Sequence, residues 1–349
     1  MIPAEGDRRM RNHEVTKIQQ LLDAQGHLAE AGWARTPVWQ YRRTDVKAPR
    51  LRIKEWDYYL IVSHDHAVAF TLSDDGYIGL QSVSFLDFAG KSEHTESILN
   101  VFPMGKMHMP SDPREGSVHY ADRRLTMDFD LSGGKRHITC RFLKFDGDRD
   151  FSCDLTLTEP EMDKLTITLP WNSDPHAFYY NRKVNCMPAE GEVRYGEDVC
   201  RFSPVTDFGT LDWGRGVWTY DNTWLWSNGN GIADGHVFGY NFGYGFADNA
   251  AATENVLYID GRLEKLDDVI FDVPKASYTD PWYFHSDDGR VRLTMQPILD
   301  RKACTKFAFI LSDQHQVFGR MNGEVRLEDG TVLRLQDFTC FAEQVHNKY

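Results

Sequence analysis

The 349 residues are 41% hydrophobic and 26% charged, a balance that places the chain among folded proteins and away from disordered ones. Fifty-two acidic residues stand against 39 basic ones, a formal charge of −13, which argues against the basic footprint of a nucleic-acid binder and against an anionic membrane surface. An acidic small molecule would have to rely on a local basic spot.

The N-terminal stretch MIPAEGDRRMRNHEV lacks the apolar run of a secretory signal, and no window approaches the ~18 consecutive apolar residues of a membrane-spanning helix. A cytoplasmic location without stable membrane insertion is expected. In NHEVTKIQQLLDAQG, Val15, Ile18, Leu21 and Leu22 recur at helical spacing and Gly26 supplies a stop, which predicts one short helix within a segment 1–34. KEWDYY, residues 54–59, follows. On a strand Glu55, Asp57 and Tyr59 face one way and Lys54, Trp56 and Tyr58 the other. Two carboxylates on one face read as a solvated edge or as an acid pair.

Strand-and-turn signals then dominate. RLTMDFDLSGGKRHITCRFLKF predicts two strands about Gly133-Gly134, and DFSCDLTLTEPEMDKLTITLPW a second pair with a longer connection. Near the end, VFGRMNGEVRLEDGTVLRLQDF carries two hairpin signals, Asn322-Gly323 and Asp329-Gly330. So many closely spaced strands imply antiparallel sheets closed into barrels or sandwiches. A Pro/Gly-rich stretch at 175–200 predicts a domain break, giving barrels at 35–180 and 181–349.

Residues 211–227, LDWGRGVWTYDNTWLWS, concentrate Trp213, Trp218, Trp224, Trp226 and Tyr220 around Asp212 and Arg215. The spacing sends Asp212 and Arg215 to opposite faces of a straight strand, whereas a bulge at Gly214 or Gly216 would bring them together. Such a pair is either an ion pair pinning the bulge or an acid in an aromatic pocket. In HVFGYNFGYGFADN, residues 236–249, Phe238, Tyr240, Phe242, Tyr244 and Phe246 alternate with small residues and Asn241. One face is therefore aromatic and the other nearly bare, as where a ligand or another backbone approaches closely. Glu254 precedes an apolar strand in AATENVLYIDG, and His315 precedes another in DQHQVFG. Capping and structural hydrogen bonding are the simpler readings of both.

Six scattered cysteines, Cys140, Cys153, Cys186, Cys200, Cys304 and Cys340, show neither CxxC spacing nor a disulfide framework. With no GxGxxG, Walker loop, GxSxG or metal-ligand spacing, no cofactor and no metal are expected.

KEWDYY, YYNRKVNCMPAEG, LDWGRGVW, GYGFADNAAATEN and HQVFG together resemble a bacterial family known as a domain of unknown function, over most of the chain from about Gly32 onward. That family is distantly similar to the two-domain lipocalin-like proteins, which include carotenoid 1,2-hydratase, tocopherol cyclase and fungal Diels–Alderases. The resemblance implies two lipocalin-like β-barrels, and a cofactor-free enzyme that hydrates, isomerises or cyclises an isoprenoid- or polyketide-like molecule. Asp212 is its candidate acid or base, with Arg215 orienting it and Glu254 and Glu55 as further carboxylates. Trp56, Trp213, Trp218, Tyr220, Tyr240 and Tyr244 are the candidate walls, joined by Asn241 and His315. A carrier of an apolar ligand, or a carbohydrate-active enzyme with Trp platforms and a carboxylate pair, are the alternatives. The oligomeric state is left open.

Overall fold

The computed structural model of the chain describes residues 11–307 and 310–348. Among them the fold is all-β: two curled antiparallel sheets, one 13-stranded and one 9-stranded, plus a short parallel pairing of Gln19–Gln20 with Trp39–Gln40. This is the lipocalin-like two-barrel architecture, each sheet forming a half-barrel. No helix of the described residues is long and apolar enough to cross a membrane.

The predicted N-terminal helix is absent. Val15, Leu21 and Leu22 are buried but Ile18 is 72% exposed, so these residues share no single face. The backbone pairs with neighbouring segments instead: Val15 N–H donates to Trp33 O, Gln19 N–H to Val38 O and Leu21 N–H to Gln40 O. The β-branched residues Val15, Thr16 and Ile18 suit that extended course.

At the centre of the first sheet lie the strands His66–Asp74, Ile53–Val62, Phe208–Val217 and Asp174–Tyr195, in that order. At the centre of the second lie His236–Tyr244, Asp221–Ala233, Val332–Lys348, Ile310–Arg326 and Val291–Phe307. The hairpin at Gly133-Gly134 forms as expected, both glycines having positive φ. Arg149–Thr158 and Leu165–Trp171 do not pair with each other, since each lies against the 22-residue strand Asp174–Tyr195. Of the two late hairpin signals only Asp329-Gly330 turns the chain. Asn322-Gly323 is a bulge inside a strand, where a side chain at 323 would meet Arg292 O at 2.2 Å.

The stretch read as a domain break is likewise a bent strand. Asp174–Tyr195 and Phe208–Val217 hydrogen-bond into the first sheet, so residues 181–217 join that sheet, and the chain crosses to the second over Trp218–Tyr220. The long strand continues through Pro188 and Gly191, and its register against Phe208–Val217 shifts between Val184 and Met187, where Cys186 takes a φ of 54°. A Cβ at 191 would lie 2.1 Å from Asp154 O on the neighbouring strand.

Each sheet curls around its own core. Phe70, Phe142, Leu211 and Trp213 fill the first, while Phe238, Tyr240, Phe242 and Trp282 fill the second. The outer faces of the two sheets meet at a seam, packed by Ile167 and Tyr258 on one side and by Leu60, Phe318 and Phe341 on the other. Full burial of such side chains is worth roughly 1.5–3 kcal/mol each. Amides thread the seam. Asn185 donates to Asn230 Oδ1 at 2.8 Å and to Asn228 Oδ1 at 3.2 Å, Asn230 donates to Thr210 Oγ1 at 2.5 Å, and Asn228 donates to Asn241 Oδ1 at 3.3 Å.

Candidate active site

Alternation along each strand and register between strands decide what the two outer faces present to each other. Three successive cross-strand rows of the first sheet face the seam: Lys54–Gly216–Tyr179, Trp56–Gly214–Asn181 and Tyr58–Asp212–Lys183. Opposite them, one row crosses five strands of the second sheet, Arg301–Gln316–Glu343–Trp226–Gly243. Between these arrays lies a cavity of about 230 Å³, to whose wall Trp218, Trp224 and Phe246 add further rings.

Glycine makes room for two of the groups. A Cβ on Gly214 would sit 2.0 Å from Cζ2 of Trp56, so the bare strand is the bed of that indole. A Cβ on Gly243 would sit 2.6 Å from Glu254 Oε2, so the bare face of the aromatic strand admits a carboxyl. Rings then build on one another: Trp218 stacks on Phe246 at 5.2 Å and meets Trp56 and Trp224 edge-on at 5.8 and 5.4 Å. The indole N–H of Trp218 is buried and has no acceptor among the described residues.

Four carboxyls line the cavity, Asp75, Asp212, Glu254 and Glu343, and the last three are each held differently. Asp212 is ion-paired to Lys183 at 3.0 Å and accepts a hydrogen bond from Asn181 Nδ2 at 2.5 Å. The Lys183 ammonium also lies 4.1 Å from the ring centre of Trp226. Glu254 accepts the Tyr179 hydroxyl at 2.5 Å, and burial raises its pKa against the pull of Lys183. Glu343 accepts the Trp224 indole N–H and the Gln316 amide, both at 2.9 Å. Burial outweighs these donors and the nearby cations and pushes Glu343 up to about 7. At the far end of the floor, burial pushes Lys54 down to about 8 despite the opposing field of Asp75.

Of the residues singled out in the sequence, Asp212, Glu254, Trp56 and Trp218 converge on this cavity, together with Trp224, Trp226 and Phe246 of the aromatic stretches. Asn241 stands behind it, accepting the Trp226 indole N–H at 2.7 Å and donating to Glu254 O at 2.9 Å. The others lie elsewhere. No bulge joins Arg215 to Asp212, because residues 212–215 keep their register with both neighbouring strands. Arg215 therefore turns into the first barrel, where it pairs with Asp57 at 3.0 Å, donates to Pro110 O and lies over Trp213. Glu55 is on that inner face too, accepting Tyr41 at 2.8 Å and Arg43 at 2.5 Å, so the Glu55/Asp57 face is neither a solvated edge nor an acid pair. Tyr240 is packed solid inside the second barrel against Ser227, and Tyr244 packs on Phe271. Tyr220 is 52% exposed on the crossing segment. His315 lies on the strand face opposite Gln314 and Gln316, paired with Asp300 at 2.7 Å and stacked on Tyr278.

Sequence reasoning missed Glu343, Lys183 and Arg301. For Glu343 a signal existed: in the strand Val332–Lys348 it falls between Phe341 and Val345 on one face, a lone acid on an apolar stripe. Among the described residues no cluster of three or more His, Cys, Asp or Glu side chains is arranged to hold a metal ion.

A family profile described as a domain of unknown function, DUF2804, matches residues 12–349. No curated protein matches. Among solved structures, an ATTH protein of Nitrosomonas europaea aligns over 87% of this chain and 95% of its own, at 12% identity and a TM-score of 0.52. CghA covers 85% and 88% at 12% identity and a TM-score of 0.44. Kievitone hydratase of Nectria haematococca covers 85% and 88% at 9% identity and a TM-score of 0.47. Likeness at these identities is one of fold.

Proposed function

The chain belongs to the DUF2804 family, whose description assigns no reaction, and from the cavity's chemistry we propose that it is an acid–base enzyme acting on a small, apolar, unsaturated molecule. The observation that carries this reading is the convergence of Asp212, Glu254 and Glu343 on one cavity walled by Trp56, Trp218, Trp224 and Trp226. A carboxyl near 7 holds its proton about half the time at neutral pH, the regime in which a general acid works best. Glu343 is therefore the proton donor. Asp212, held by Lys183 and Asn181, is the acceptor.

Proton transfer from Glu343 to one carbon of a double bond leaves a cation at the other carbon. Indole faces stabilise such a cation by roughly 0.5–2 kcal/mol each. Asp212 then takes a proton, either from a water that adds to the cation (hydration) or from a neighbouring carbon (isomerisation or cyclisation). Glu343 ends as carboxylate and Asp212 as acid, and exchange with solvent restores both. The Tyr179 hydroxyl donates to Glu254 and so positions that carboxyl beside the cavity.

The test is solvent-deuterium incorporation. Geraniol, geranic acid, farnesol and farnesoic acid are incubated with the protein in D2O and analysed by mass spectrometry. Deuterium should enter carbon with the wild type, and this should fall at least ~100-fold in Glu343→Gln and in Asp212→Asn, in line with loss of a general acid or base. Ligands that bind and return with every carbon-bound hydrogen in place would make the protein a carrier and end the catalytic reading.

A further inference from the structure

Arg301 lies at the end of the five-strand row, half-buried on the cavity wall next to Gln316. Its Nη1 donates to Ser84 Oγ of the other sheet at 2.8 Å, which fixes the guanidinium across the seam. No carboxylate among the described residues forms an ion pair with it. The other cavity cations differ: Lys183 pairs with Asp212 at 3.0 Å, and the field of Asp75 acts on Lys54. In a chain with 52 acidic residues and 39 basic ones, a cavity cation that forms no ion pair stands out.

The ion pairs point the same way. Lys183 is met by Asp212, while burial works against the charged forms of Asp75, Glu254 and Glu343. Arg301 is left without an ion-pair partner among the described residues. A guanidinium presents a planar fork of N–H donors that matches a carboxylate bidentately, and one of its five donors is committed to Ser84.

We propose that the molecule bound in this cavity carries a carboxylate, that Arg301 receives it at the rim, and that the apolar body lies inward against the tryptophans. This deepens the reading above, since it assumes that the same cavity is the ligand site. It also links binding to chemistry. Arg301 acts through space on Glu343, favouring its charged form. A bound carboxylate offsets that field and returns the proton to Glu343, so that the acid is loaded when the ligand is in place.

The test pairs two ligands that differ in the headgroup. Tryptophan fluorescence is titrated with geranic acid and with geraniol on the wild type, Arg301→Met and Arg301→Lys. The wild type should bind the acid on the order of tenfold more tightly than the alcohol, the scale of one charge-assisted contact. In Arg301→Met that preference should vanish with geraniol affinity unchanged, and Arg301→Lys should retain part of it. A preference that survives in Arg301→Met, or a wild type that binds both alike or neither, overturns the proposal. The two readings fail separately: preference for the acid without deuterium uptake removes only catalysis, and deuterium uptake without preference removes only the headgroup assignment.

Discussion

Glu343→Gln should change how stability depends on pH, and the change can be computed. In the native protein burial raises this carboxyl to about 7, whereas in the unfolded chain it sits near the ordinary glutamate value of about 4.3. A raised carboxyl pKa means that the native state binds more protons than the unfolded state, so stability falls as pH rises. The contribution is fully present below the unfolded value. It is lost progressively between about 4.3 and 7, and above 7 the deficit is constant. At 1.36 kcal/mol per pKa unit, the gap of roughly 2.7 units amounts to about 3–4 kcal/mol at alkaline pH, of which about 2 kcal/mol accrues between pH ~5.5 and pH ~8. Glutamine keeps the shape and carries no proton to lose. Urea unfolding of both proteins at those two pH values isolates the effect, because every other titrating group cancels in the difference. The stability of Glu343→Gln relative to wild type should rise by about 2 kcal/mol from the lower pH to the higher. An offset that is the same at both values would mean that Glu343 is ionised like a surface carboxylate, and the assignment of the proton donor would fall with it.

Arg215→Met should lower stability by about 3–5 kcal/mol, because it leaves Asp57 buried without its partner, and Asp57→Asn in the same chain should recover part of the loss. Guanidinium unfolding reads it, and a variant within about 1 kcal/mol of wild type would refute a buried pair. Gly214→Ala should cost about 1–3 kcal/mol and change the near-ultraviolet circular dichroism, since the new methyl drives Trp56 off its bed. An unchanged aromatic spectrum would refute that packing.

The faces of the site were legible where alternation alone sets them. Residues 236–246 announced one aromatic and one bare side, and KEWDYY separated Glu55 and Asp57 from Trp56. Which side was core and which was seam could not be read, because Phe238, Tyr240 and Phe242 suit a solid interior as well as a hollow. Two errors came from glycines. Gly214 looked like a bulge that would reunite Asp212 with Arg215, yet it is bare because a tryptophan from the next strand covers it. Asn322-Gly323 looked like a turn, but pairing with Leu293–Thr294 across the sheet overrides local preference. The N-terminal pattern failed for a related reason: helical spacing at four positions is weak against a ready-made edge at Trp33–Gln40. Lys183, Glu343 and Arg301 were hidden because the site is assembled from strands far apart in the chain, and only register places them in line.

The seam that carries the site is fastened by Asn185, Asn228, Asn230, Asn241 and Thr210, side chains that neither gain nor lose a proton in the ordinary pH range. This amide network and the chemistry thus draw on different kinds of group. A change in acidity that reloads the carboxyls leaves these amide bonds in place, so this part of the joint holds while the charge states of the site vary.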